Sequence, residues 1–137
     1  MKKRCFRYLI LLFLISPVAV PFAFSHEHEM SPAMEKQHQS MKAVGSQWQA
    51  FKKALQGGDE KAADKALAQI LENTLPLEGF TLHRNVDKRQ QFVERSRVFR
   101  EKIVRLKDAL QAGDGKQKRE LEKAAGDDCV SCHTMFK

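Results

Sequence analysis

Between Phe92 and Leu110 the apolar positions recur at strict steps of four and three, through Ser96, Phe99, Ile103 and Leu106. A strand cannot use that spacing, because its side chains alternate with period two, whereas a helix brings all six to one face. The stretch from about Asp87 to Gly113 therefore reads as a helix with one apolar side, and such a helix needs neighbours to cover it.

The same chain supplies three of them. Met34, Met41, Val44, Gly45, Trp48, Phe51 and Leu55 mark a first helix from about Ser31 to Gln56, which stops at Gly57-Gly58. Asp59 is placed to cap a second, carrying Ala63, Ala66, Leu67, Ile70 and Leu71 inward until Pro76 ends it. Asp114 is placed to cap a fourth, with Leu121, Ala124, Ala125, Cys129, Cys132 and Phe136 along one side. Leu75 to Lys88, with Pro76, Gly79 and Asn85 and no clean period, reads as a long connection of the kind that often carries function. Ala54-Leu55-Gln56-Gly57-Gly58-Asp59 is echoed by Ala109-Leu110-Gln111-Ala112-Gly113-Asp114, one copy at each short helix-to-helix turn. The expected fold is all-α: two αα-hairpins forming an antiparallel up-down-up-down four-helix bundle. At 137 residues there is room for one such domain, and 30% charged residues with only 7 Gly and 4 Pro exclude a fibrous or low-complexity chain.

The first 25 residues stand apart. Lys2, Lys3, Arg4 and Arg7 precede an uncharged apolar run, Tyr8 to Phe24, that is interrupted by Pro17 and Pro21 and ends in Ala23-Phe24-Ser25. A basic start, an apolar middle and small residues before a polar junction make a secretory signal cleaved after Ser25, so the protein is expected in the periplasm. The domains are then 1–25, signal, and 26–137, bundle, with 26–32 a flexible leader. Cleavage would lower the net charge from +7 to +3 and remove Cys5, leaving Cys129 and Cys132 near the C-terminus. Two cysteines so close together make no disulfide framework.

Those two cysteines belong to Cys129-Val130-Ser131-Cys132-His133, a C-x-x-C-H motif. The spacing suits two thiols that add to the two vinyl groups of one haem while the next residue, His133, reaches its iron. On a helix the i, i+3 and i, i+4 relations let all three side chains address one flat group. A thioredoxin-type dithiol would want its cysteines at a helix N-terminus beside a βαβ unit, and a zinc site would want two further ligands. The cofactor expected is one covalent haem c, at the end of the bundle where the fourth helix finishes. In an up-down-up-down bundle the first helix starts at that end and the second-to-third connection lies there too. Candidates for the iron's other face are Met34, His38 and Met41, with His83 of the connection.

A C-terminal C-x-x-C-H followed by Phe136-Lys137, on a four-helix chain, resembles class II cytochrome c, the family of the cytochromes c′ and their low-spin relatives. In that family the distal residue lies in the first helix four positions before a small residue, and low-spin members place a methionine there. Met41-Lys42-Ala43-Val44-Gly45 is similar to that pattern, so the resemblance implies Met41 as sixth ligand, with His38 the alternative. The resemblance implies one-electron transfer through a six-coordinate haem; no substrate pocket or acid/base constellation is evident in the sequence, so no turnover of an organic substrate is expected. Many five-coordinate members carry an Arg one turn before the distal position, near a haem propionate, where this chain has Gln37; Lys36, Arg84 and Lys88 are the candidate propionate contacts in its place.

Two alternatives belong to other classes. If Met41 packs without bonding to iron, the expected function becomes binding of a small gas such as NO or CO. The His26-Glu27-His28-Glu29-Met30 leader would suit periplasmic copper. Helix three is strongly basic, with Lys88, Arg89, Arg95, Arg97, Arg100, Lys102, Arg105 and Lys107 against Glu94, Glu101 and Asp108. Outside the cytoplasm that excludes a nucleic-acid role and points to a solvated face or to docking of an acidic redox partner. Members of the family are often homodimers.

Overall fold

The computed structural model describes residues 31–82 and 84–136; the expected signal, the His26–Met30 leader, His83 and Lys137 lie outside them. The fold is all-helical: α1, Pro32–Gln56; α2, Glu60–Thr74; α3, Arg89–Gln111; and α4, Gly115–Phe136. Among the described residues there is no strand. Ser31 and Pro32, at the end of the expected leader, are already the cap and first residue of α1, and Ser31 Oγ accepts from Met34 N–H at 3.3 Å.

The sequence echo has a structural meaning. Gly58 N–H donates to Leu55 C=O at 3.2 Å and Asp59 N–H to Ala54 C=O at 2.9 Å; Gly113 repeats this with Leu110 at 3.2 Å and Asp114 with Ala109 at 3.0 Å. These are paired Schellman caps, and each needs a left-handed residue, which Gly58 (φ 71°) and Gly113 (φ 70°) supply. The aspartate that closes each cap then opens the next helix: Asp59 Oδ1 accepts from Ala62 N–H at 2.9 Å, and Asp114 Oδ1 from Gln117 N–H at 3.0 Å. One six-residue motif thus ends one helix and starts another.

The connection after α2 is more ordered than its lack of period suggests. It forms two 3₁₀ turns, Leu75–Gly79 and Val86–Lys88, and Leu77, Phe80 and Leu82 turn inward.

Close-packed seams join α1 to α2, α2 to α3 and α3 to α4, whereas α1 and α4 share none among the described residues. They do approach at Trp48, where a Cβ placed on Gly126 would stand 3.9 Å from the indole Cζ2. The main core includes Phe51, Leu67, Ile70, Ile103 and Leu106, all fully buried, and burial of each such side chain contributes about 1.5–3 kcal/mol. A second cluster, Leu77, Phe80, Leu82, Phe92 and Phe136, lies under the connection with Met41, Cys132 and Met135 packed against it. Its Phe92 and Phe136 rings meet edge to face at 5.3 Å.

Several cations of α3 are absorbed within the fold. Lys107 pairs with Asp64 of α2, Lys102 Nζ pairs with Asp128 of α4 at 2.6 Å, and Arg95 Nη1 donates to Ser131 Oγ of α4 at 2.9 Å. Arg89 donates to the carbonyls of Phe80 and Glu78, at 2.7 and 2.8 Å. Much of the charge on this helix therefore fastens it to its neighbours.

Candidate functional site

Cys129, Cys132 and His133 lie on the last two turns of α4. Helical spacing turns Cys129 and Cys132 toward the bundle, where both are half-buried, while the intervening Val130 is 68% exposed. Cys129 packs against the main core and Cys132 against the second cluster, so the motif straddles the boundary between them.

Two cavities meet at that boundary, on the side where α1 and α4 part. The first, about 340 Å³, is lined by Gly45 and Trp48 of α1, Phe99 of α3 and Cys129 of α4. The second, about 460 Å³, lies under the connection and is lined by Gln37, His38, Phe80, Leu82 and Phe136. Met41, Phe92, Cys132 and His133 line both. Each is within the ~300–1,000 Å³ of small-molecule and cofactor sites. Met41 is half-buried and His133 exposed, and they come from α1 and α4, the neighbouring helices with the fewest close backbone contacts. At Gly45, one turn beyond Met41, no heavy atom lies within 4 Å of where a Cβ would stand. Trp48 forms part of the first wall, with Phe51 behind it, ring centroids 5.3 Å apart.

Burial pushes both thiols up from their ordinary value. Asp128 adds to this at Cys129 and at Cys132, while the Arg95 guanidinium works in the opposite direction at Cys132. Both are therefore neutral thiols at pH 7. A dithiol oxidoreductase needs the reverse, a thiol stabilised as thiolate. No group of three or more His, Cys, Asp or Glu side chains poised for a metal ion lies among the described residues.

The connection is tied down around the second cavity. Gln37 Nε2 donates to Thr81 C=O at 2.8 Å while Thr81 N–H donates back to Gln37 Oε1 at 3.0 Å. Asn85, held at φ 53°, donates from Nδ2 to the Met135 carbonyl. Gln37 is engaged here in fastening the connection to α1.

Of the residues singled out by sequence, Cys129, Cys132, His133 and Met41 come together around the two cavities. His38 is exposed and lines the second only, and Met34 lines neither. Lys36, Arg84 and Lys88 are exposed and line neither. His83 and the His26–Met30 leader lie outside the described residues. Arg95, which the sequence grouped with the solvated or partner-docking cations of the third helix, lines the first cavity instead; its position three residues after inward-facing Phe92 puts it on the flank of the buried stripe. No protein-family model, curated protein or solved structure matches the chain. The likeness to class II cytochrome c rests on the residues themselves.

Proposed function

We propose that this chain is an exported cytochrome of the class II type, an antiparallel up-down-up-down bundle that carries one covalent haem c at one end and transfers single electrons. The observation that carries the reading is that Cys129, Cys132 and His133 of α4 line the first apolar cavity together with Met41 of α1, and that Met41, Cys132 and His133 line the second as well. The antiparallel order is supported by the pairings of Lys102 with Asp128 and Arg95 with Ser131, which advance in opposite directions along α3 and α4.

The residues fit a haem. Each neutral thiol would add its S–H across one vinyl double bond, a step that balances without an oxidant or reductant. His133 would supply an imidazole and Met41 a thioether to the two faces of the iron. When bound, the haem supplies a metal centre that gains and loses one electron. A neutral thioether opposite imidazole raises the potential. Phe92 and Trp48 would keep water from the site, and the clamp between Gln37 and Thr81 would hold its cover in place.

The apolar run bounded by the N-terminal basic cluster and Ser25 supports export to the periplasm. Among the described residues no helix is long and apolar enough to cross a membrane. The proposed partner is a redox protein with an acidic surface, met by exposed cations of α3 such as Arg97 and Arg105. No turnover of an organic substrate is assigned.

A Met41→Ala variant tests the ligation. The native protein is expected to be low-spin and indifferent to CO, and the variant to be high-spin and to bind it. An unchanged spectrum would remove Met41 from the iron. The open space at Gly45 favours one second reading, a five-coordinate haem that binds NO or CO beside Met41; it predicts a native protein that is already high-spin and CO-reactive.

A further inference from the structure

Arg95 enters the first cavity from α3, and its Nη1 donates to the hydroxyl of Ser131, the residue directly before Cys132. That hydroxyl is neutral. The two carboxylates that also line the cavity are engaged elsewhere: Glu94 with Arg97, in an exposed pair, and Asp128 with Lys102. No carboxylate among the described residues forms an ion pair with Arg95. A guanidinium cannot be neutralised by losing its proton, and four of its five N–H donors are left beyond the bond to Ser131. The fold therefore keeps a permanent positive charge, half-buried, against the cysteine pair.

A latch between α3 and α4 would not need that charge. Lys102 and Asp128 already tie the same two helices two turns further along α3. What a guanidinium adds in an apolar cavity is a fixed field, less screened than on an open surface. Such a field favours whichever state of a bound redox group carries less positive charge.

We infer that Arg95 is a positioning residue for the redox reaction: it holds a fixed positive charge beside the thioether edge at Cys132 and raises the reduction potential of the bound haem, with Ser131 fixing its place. This rests on the haem reading given above. For a partly exposed charge at a cavity's edge, such a field shifts the balance between ferrous and ferric forms by roughly three- to tenfold.

The test is a redox titration of the holoprotein, with wild type, Arg95→Gln, Arg95→Lys and Ser131→Ala compared at one applied potential. Covalent haem is verified first by haem staining of the denatured protein. Arg95→Gln is expected to move the ferrous-to-ferric ratio about three- to tenfold toward ferric with an unaltered low-spin spectrum. Arg95→Lys is expected to recover most of the shift, and Ser131→Ala, which leaves the charge but frees it, to fall between. Should the glutamine variant misfold, Arg95→Leu carries the same expectation. A wild-type ratio in either neutral variant would overturn the assignment while leaving the haem reading intact, as would equal shifts in Arg95→Gln and Ser131→Ala, the mark of a latch alone. A wild-type chain without covalent haem would overturn both.

Discussion

At the scale of single residues, the cations of α3 act through particular partners. Asp64 is the clearest case: the hydrogen bond from the Lys107 ammonium holds its carboxyl below the ordinary 3.8, against the upward push of partial burial, with Gln111 donating to the same oxygen. A carboxylate with a lowered folded value stabilises the native state above its unfolded value, and that contribution is lost as the pH falls through the folded one. Because both side chains keep a quarter to a third of their exposure, the pair is worth about 0.2–1 kcal/mol. Asp64→Asn should therefore lower stability by that amount at pH 7 and by progressively less as the pH falls below 3.8, read from urea unfolding across that range. Helix periodicity made the charge of α3 visible but not where each cation is directed. Lys102 and Lys107 meet partners 26 and 43 residues away, which no local pattern encodes.

At the scale of elements, most of the fold was legible because its determinants are local. The apolar periods of α1 and α3, the aspartate caps and the paired glycine turns are all written within a few residues, and the helices end within a residue or two of where those signals place them. The twin caps make a direct prediction. Gly58→Ala or Gly113→Ala forces a side chain into the left-handed region and should cost about 1–2 kcal/mol. Gly57, at φ −83° with only ordinary contacts around a new Cβ, should accept alanine without loss. The second copy of the motif already has Ala112 in that place. Thermal melts of the three variants check this, with several degrees separating Gly113→Ala from Gly57→Ala. The connection from Leu75 to Lys88 was legible only as a gap, because what orders it is long-range: Gln37 to Thr81 spans 44 residues and Asn85 to Met135 spans 50.

At the scale of the whole molecule, the consequential feature is the side of the bundle that is not packed. Three seams are closed and the fourth, between α1 and α4, opens into two cavities where Met41, Cys132 and His133 meet. The cysteine–histidine motif and Met41 could be read from local spacing together with a family resemblance, and the structure brings them to one place. Lys36, Arg84 and Lys88, the candidate propionate contacts, line neither cavity, whereas Arg95 lines the first from α3. The central claim is that this opening holds a haem bonded to Cys129 and Cys132, and the most direct measurement is the intact mass of the exported protein after denaturation and acid-acetone extraction. The account predicts a chain heavier by one haem, with no titratable thiol, and loss of that mass in a Cys129→Ala/Cys132→Ala variant. A chain of bare polypeptide mass with both thiols free to react would contradict it.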